Sequence, residues 1–176
     1  DSVVSGNEAA TGGGIYNAAY SYMSVERSTI SGNMTTGSGG GFFNLSTLVQ
    51  ILDSTISGNT GTYGGGLNLA GTIEYTTTIV NSTISGNTAT IAGGGIYNFQ
   101  GTAYIEFSTI TNNTAPVDKG GGVGAWADPN TSLTYVRSTI IAGNIGSDLF
   151  VSDVNFNSFI SNGYNLIGLG DATKLA

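Results

Sequence analysis

The six residues STISGN stand at Ser28–Asn33, again at Ser54–Asn59 and again at Ser82–Asn87. Near copies extend the series: SVVSGN at Ser2–Asn7, STITNN at Ser108–Asn113, and STIIAGN, one residue longer, at Ser138–Asn144. The copies start at 2, 28, 54, 82, 108 and 138, so the gaps are 26, 26, 28, 26 and 30 residues. A second marker, GGG, begins at Gly12, Gly39, Gly64, Gly93 and Gly120. A period in this range marks a solenoid: each unit cannot bury its own apolar face and must stack on the next.

The pattern inside one unit specifies strands. Gly, Thr, Ser, Asn and β-branched residues dominate, and these are weak helix formers. In the STI segment, Val4, Ile30, Ile56, Ile84, Ile110 and Ile140 are expected inward, which turns Thr29, Thr55, Thr83, Thr109 and Thr139 outward. The following Gly-Asn pair is turn chemistry. After each GGG an apolar residue (Ile15, Phe42, Leu67, Ile96, Val123) is expected inward and its successor (Tyr16, Phe43, Asn68, Tyr97, Gly124) outward. A third strand precedes each STI, with inward candidates Val25, Ile51, Ile79, Ile105 and Tyr135, and two residues earlier Met23, Val49, Thr77, Ala103 and Leu133.

Three short strands and three corners in roughly 27 residues make a single-stranded parallel β-helix of about six turns, each strand pairing in parallel with its counterpart one turn on. At about 4.8 Å per turn the rod is roughly 30 Å long. The whole chain, 1–176, reads as one domain, with regular turns over about 1–144 and an irregular closing turn over about 145–176. Stacking places Asn7, Asn33, Asn59, Asn87, Asn113 and Asn144 in one column, where each side-chain amide can donate to the next carbonyl oxygen. A second column holds Asn17, Asn44 and Asn98 and is interrupted by Leu69, with Asn68 shifted by one position.

Composition narrows the chemistry. Net charge is −7, with Arg27, Lys119, Arg137 and Lys174 the four basic residues, so a nucleic-acid footprint is not expected. There is no cysteine and no histidine, which removes disulfides, thiolate ligands and the commonest general base. No apolar run has the length of a membrane helix.

The segments STISGN, GGGIYN, STIIAGN and NGYNLIG resemble those of secreted bacterial right-handed parallel β-helix repeat proteins, of the CSLREA type and similar in style to polymorphic outer-membrane protein repeats. The resemblance runs from about Asp1 to Gly168. It implies right-handed coiling and an extracellular or cell-surface location, and no defined activity. The chain carries no CSLREA region and no anchoring tail.

Sugar-cleaving β-helices need two carboxylates across a bond. Glu26 and Glu106 share a repeat position but lie three turns, roughly 14 Å, apart. Asp53 is expected to pair with Arg27 one turn away. Asp148 and Asp153 are two acids in a loop and a weak calcium candidate. No catalytic, cofactor-binding or metal site is expected, and no cofactor. The GGG runs lack the Lys-Ser/Thr of a phosphate loop.

Three surface features remain. Thr29, Thr55, Thr83 and Thr109 with Ser31, Ser57, Ser85 and Thr111 form a T-x-S array that loosely resembles an ice-binding face. Tyr16, Phe43 and Tyr97, with Trp126 near the end, form a broken aromatic stripe suited to a glycan or protein partner. Insertions around Ala115–Lys119 and Ala127–Ser132 are candidate binding loops. The end rungs, through Val3, Val4, Leu149 and Val151, are expected to allow head-to-tail contact between copies, which does not close and makes a filament. The leading expectation is therefore a non-catalytic extracellular β-helix active in adhesion, matrix or filament formation, with itself, surface glycans or cell-surface proteins as partners. The alternatives are a carbohydrate-binding or carbohydrate-cleaving module and, third, an ice-binding surface.

Overall fold

The computed structural model describes residues 1–18, 20–126, 131–152 and 157–168. Among them there is no helix, and every named strand pairing is parallel. The chain is a β-solenoid whose turns stack into long sheets. The STI sheet has seven strands: Val3–Ser5, Thr29–Ser31, Thr55–Ser57, Thr83–Ser85, Thr109–Thr111, Ile140–Ile141 and Leu166–Ile167. The post-glycine sheet has six: Ile15–Asn17, Phe42–Asn44, Leu67–Ala70, Ile96–Phe99, Val123–Trp126 and Leu149–Val151. The pre-STI sheet also has six: Tyr22–Glu26, Leu48–Leu52, Thr76–Val80, Thr102–Glu106, Ser132–Arg137 and Asn157–Ser161. A fourth, short sheet stacks Glu8–Ala9, Met34–Thr35, Thr60–Tyr63 and Thr88–Ala92, just after the Gly-Asn corner. The repeat pattern does not mark this sheet, because its strands have no common apolar residue.

The core is a set of vertical columns. Ile30, Ile56, Ile84, Ile110 and Ile141 stack in the STI sheet; Phe42, Leu67, Ile96, Val123 and Leu149 in the post-glycine sheet; Val25, Ile51, Ile79, Ile105 and Val136 in the pre-STI sheet. Most are fully buried, each adding about 1.5–3 kcal/mol relative to exposure. Ile15 and Val4 pack against this core while partly exposed on the first rung.

The sixth copy of the repeat corrects the expected register. Thr109 pairs with Ile140 and Ile110 with Ile141, so Ile141 is buried and Ile140 is exposed. Thr139, expected outward, is buried. The copy is TIIAGN, six residues from Thr139, and Ser138 belongs to the preceding corner. The same shift moves the inward positions of the preceding strand from Leu133 and Tyr135 to Thr134 and Val136. A Thr in place of Ser hides this frame, because Ser138-Thr139-Ile140 mimics the motif one residue early.

Three of the corners are turned by a residue in the left-handed region. The first glycine of GGG serves at Gly12, Gly39, Gly64, Gly93 and Gly120. The glycine of Gly-Asn serves at Gly6, Gly32, Gly58, Gly86 and Gly143, with Asn112 taking its place once. The corner before STI uses Arg27, Asp53, Asn81, Phe107 and Ser138, residues of no common type, so composition does not reveal it. The other two GGG positions are glycine because turns touch there: a Cβ on Gly40 would lie 2.3 Å from the Gly65 carbonyl oxygen, and one on Gly95 2.7 Å from that of Gly122.

Two polar columns tie the turns together. In the asparagine column Asn7, Asn33, Asn59, Asn87 and Asn113 each donate both backbone N–H and Nδ2 to Oδ1 of the next member, at 2.9–3.0 Å. From Asn33 onward Nδ2 also donates to the carbonyl of an isoleucine or valine one turn back, such as Ile30 for Asn59. The column ends on Asp148, whose buried Oδ1 accepts both donors of Asn144. A hydroxyl column runs beside it. Ser28, Ser54, Ser82, Ser108 and Thr139 each donate to the carbonyl two residues earlier and accept the N–H of the equivalent residue one turn back. It ends when Thr139 donates its N–H to Oδ1 of Asn165.

The stretch read as an irregular closing turn, 145–176, carries one strand into each of the three main sheets within its described residues. Leu149–Val151 pairs with Val123–Ala125, Asn157–Ser161 with Ser132–Val136, and Leu166–Ile167 with Ile140–Ile141. Val154 and Phe156 lie outside the described residues.

Candidate functional site

The outer face of the post-glycine sheet is where the repeat loses its regularity. Parallel pairing aligns Tyr16, Phe43, Asn68, Tyr97, Gly124 and Phe150 in one outward column, and Ala70, Phe99 and Trp126 in a second, two residues on. The third rung therefore carries small residues, Asn68 and Ala70, at both outward positions, while the rungs on either side carry rings. The result is a dip in an aromatic surface. Tyr63, Ile91 and Lys119 from the segments before the glycines complete its walls, with Ser38 at its margin, and the groove has a volume of about 580 Å³.

The rings are organised in pairs. Tyr16 stacks on Phe43 with centroids 5.2 Å apart, and Tyr97 on Phe99 at 6.0 Å with planes 8° apart. Tyr63 packs against Tyr97 at 5.1 Å, and Trp126 against Phe150 at 5.5 Å. The Lys119 ammonium sits 4.9 Å from the Trp126 ring centre and 5.3 Å from that of Phe150, a cation over two aromatic faces.

The candidate stripe residues thus separate. Tyr16 is 52% exposed and stands at the first rung, outside the groove. Phe43 and Trp126 are half-buried and line it. Tyr97 lines it but is 6% exposed, held under Tyr63, so it is a wall rather than a free platform. Burial, with Tyr63 adding repulsion, pushes its phenol well above the ordinary tyrosine range, so Tyr97 stays neutral. Sequence reasoning missed Tyr63, Phe99 and Ile91; it turned Asn68 outward but gave it no part in the aromatic stripe. Tyr63 and Ile91 lie on the fourth, short sheet, which no common apolar residue marks.

Asn68 is the unusual member. It is 3% exposed, and its Oδ1 is buried without a hydrogen-bond partner. The second such atom, Oδ1 of Asn98, belongs to the interrupted inward column. There Asn17 donates to Asn44, Leu69 breaks the sequence, and Asn44 and Asn98 turn Nδ2 to the inward hydroxyls of Thr77 and Thr134.

The remaining candidate residues are placed as follows. Val3 is 71% exposed, and Val4, Ile15, Met23 and Val25 line a hollow of about 430 Å³ at the first rung. Leu149 and Val151 point into the core and are buried, so neither side chain supplies surface for an end contact. Arg27 pairs with Asp1 at 3.1 Å and Glu26 at 3.5 Å rather than with Asp53, which accepts from Asn81 instead. The left-handed corner at Arg27 and Asp53 accompanies these separate partners. Glu106 pairs with Arg137 at 2.8 Å. Asp148 is committed to the asparagine column, and Asp153 lies outside the described residues. Among the described residues no group of three or more acids could hold a metal ion. The T-x-S array is in register over four rungs, bounded by Val3 at one end and Ile140 at the other. Of the two insertions, Ala115–Lys119 places Lys119 in the groove, and 127–130 lie outside the described residues.

Among known families, residues 81–98 match the Chlamydia polymorphic membrane protein repeat. The match covers part of one turn, from STISGN to GGGIYN, and together with the stacked parallel sheets it fits a repeat protein like the polymorphic membrane proteins. No curated protein and no solved structure matches the chain. Among the described residues no helix is long and apolar enough to cross a membrane.

Proposed function

We propose that this chain is a non-catalytic, surface-associated β-solenoid that works in adhesion, holding a partner against the outer face of its post-glycine sheet. The observation that carries this reading is the aromatic groove. A regular solenoid shows the same residue on every rung, whereas this face replaces rings by Asn68 and Ala70 on one rung and builds a recess there. Concave, aromatic-walled recesses with a few polar groups are the usual form of binding sites. The partial match to a membrane-protein repeat supports a surface location. Among the described residues Glu106 is paired with Arg137 and Asp148 is committed to the asparagine column, which argues against a hydrolytic role for either carboxylate.

Beads coated with the chain test the reading. Attachment to whole cells should exceed that of beads carrying the double variant Phe43→Ala/Trp126→Ala by tenfold or more. Equal attachment by both coatings would remove the groove from the account. Cell fractionation with an antibody against the chain checks location, and recovery in the cytosol alone would count against a surface role.

A second reading, end-to-end association, rests on the hollow at the first rung, where the partly exposed Val4, Ile15 and Met23 are left for another rung to cover. A preceding turn of the same chain would fill it as well as a second copy. Filaments in electron micrographs that vanish on Val3→Lys/Val4→Lys substitution would support self-association, and dispersed particles at high concentration would end it.

A further inference from the structure

Resting on the adhesive reading, we infer that the groove over Asn68 is a carbohydrate site, and that its ligand is a linear oligosaccharide lying along the stacked rungs. Three features of the recess select this chemistry. Its walls are the rings of Phe43, Phe99 and Trp126, which offer apolar faces to the C–H face of a pyranose, with the buried Tyr97 packed behind Tyr63 and Phe99. Its floor holds Asn68, a side chain with no hydrogen-bonded partner for Oδ1, and the amide can turn about its last torsion to present either end. Lys119 stands on the rim with three donors and is fixed in place over Trp126 and Phe150.

The orphan acceptor decides between the two ligands that aromatic grooves commonly take. A proline-rich peptide stacks on rings, but proline has no N–H, and such a segment brings mainly carbonyl acceptors. It would leave Asn68 Oδ1 unpaired. A sugar brings an apolar face and a ring of hydroxyl donors together, and one hydroxyl satisfies Asn68 while its neighbours accept from Lys119. An acceptor buried without a partner is costly, so a ligand that supplies the missing donor gains affinity from that bond. The groove walls carry one cation and no carboxylate, on a chain whose net charge is −7. A uronate-bearing chain is therefore held more tightly than its neutral counterpart, and the difference shrinks with salt.

Trp126 is the single tryptophan of the chain and lines the groove, so its emission reports occupancy directly. An array of neutral and uronate-bearing linear oligosaccharides selects the probe, and the best hexasaccharide is then titrated while Trp126 emission is followed. A saturable spectral change is expected, and Asn68→Leu should weaken binding at least tenfold while its melting temperature stays equal or rises. That split separates ligand binding from a structural role, because loss of an unpartnered buried carbonyl does not destabilise the fold. Phe43→Ala, a second variant at the opposite wall, should also lose binding.

An empty array, or Asn68→Leu binding as well as the parent, overturns the proposal. A proline-rich decapeptide that changes Trp126 emission where no sugar does also overturns it. The two readings fail separately. Beads that still attach after periodate destroys the cell-surface glycans sink the sugar site and leave adhesion standing. Array binding without attachment to any cell does the reverse.

Discussion

Two asparagine columns run up this molecule, one continuous and one interrupted. The Gly-Asn corner column, Asn7 to Asn144, repeats without interruption, so every amide after Asn7 has a donor below and an acceptor above until Asp148 closes it. The inward column beside the post-glycine strands has Leu69 on its third rung. Asn44, with Leu69 as its next member, turns Nδ2 to Thr77. Asn98 keeps a buried Oδ1 with no donor from Leu69 and, with Ala125 as its own next member, turns Nδ2 to Thr134. Repetition satisfies polar groups automatically, because each copy supplies what the previous one needs. A departure leaves unmet hydrogen-bonding capacity, and in this chain the departures at Asn68, Leu69 and Ala70 fall together on one rung.

The largest effect should come from breaking the continuous column at its middle. Asn87→Leu strips the acceptor from both donors of Asn59 and the donor from the Ile56 carbonyl. A loss of about 3–5 kcal/mol is expected from several unsatisfied buried groups, read by denaturant unfolding.

A pair of substitutions at Leu69 sharpens the contrast. Leu69→Ala should cost about 2–4 kcal/mol through the cavity it leaves. Leu69→Asn removes as much apolar burial, yet it would supply the donor that Asn98 Oδ1 lacks and an acceptor for Asn44. It should fall within about 1 kcal/mol of the parent, the restored bonds offsetting the lost burial. If both variants are equally unstable, the columns are not interchangeable ladders.

A smaller change is expected at the ladder's end. Asp148→Asn keeps an oxygen for the two Asn144 donors but gives up the charge, so a loss of about 1 kcal/mol should appear in the same measurement.

The smallest effect at neutral pH is that of Tyr97→Phe, on the sheet that carries the break. The Tyr97 phenol is pushed up in the folded state, while the unfolded chain titrates near the ordinary value of about 10. Above that pH the unfolded state loses its proton first, so the parent loses stability as pH rises. Tyr97→Phe should match the parent below about pH 9 and decline less steeply above pH 10, as thermal melts across that range will show.

Much of this architecture was legible beforehand because stacking makes one residue's environment recur. An Ile that recurs every 26 or 28 residues can be assigned inward from any copy, and the Asn three residues later can be assigned to one corner column. Errors arose where a residue took another's place. Ser138 and Thr139 present the motif one position early, and only pairing with Thr109 shows that Ile141 and not Ile140 faces the core. Leu149 and Val151 were legible as apolar alternation and lie on the last strand of the post-glycine sheet; that both side chains turn into the core is a fact of the structure. The pre-STI corner was hidden for a related reason: five unlike residues share a backbone conformation that only geometry exposes.

The sequence by itself determined the period, the inward columns of the regular turns and the continuous asparagine column, since each follows from copies stacked at fixed spacing. Only the tertiary structure decided what happens outside the cylinder. The groove is built from outward residues of adjacent rungs and from corner segments of differing length, and their meeting is set by how those segments fold back over the sheet. The period sets which positions face outward, as in the T-x-S array, but not how the corner segments fold back over them. Tyr63, Asn68, Lys119 and Trp126, spread over more than sixty residues of chain, become one surface only once the turns are stacked.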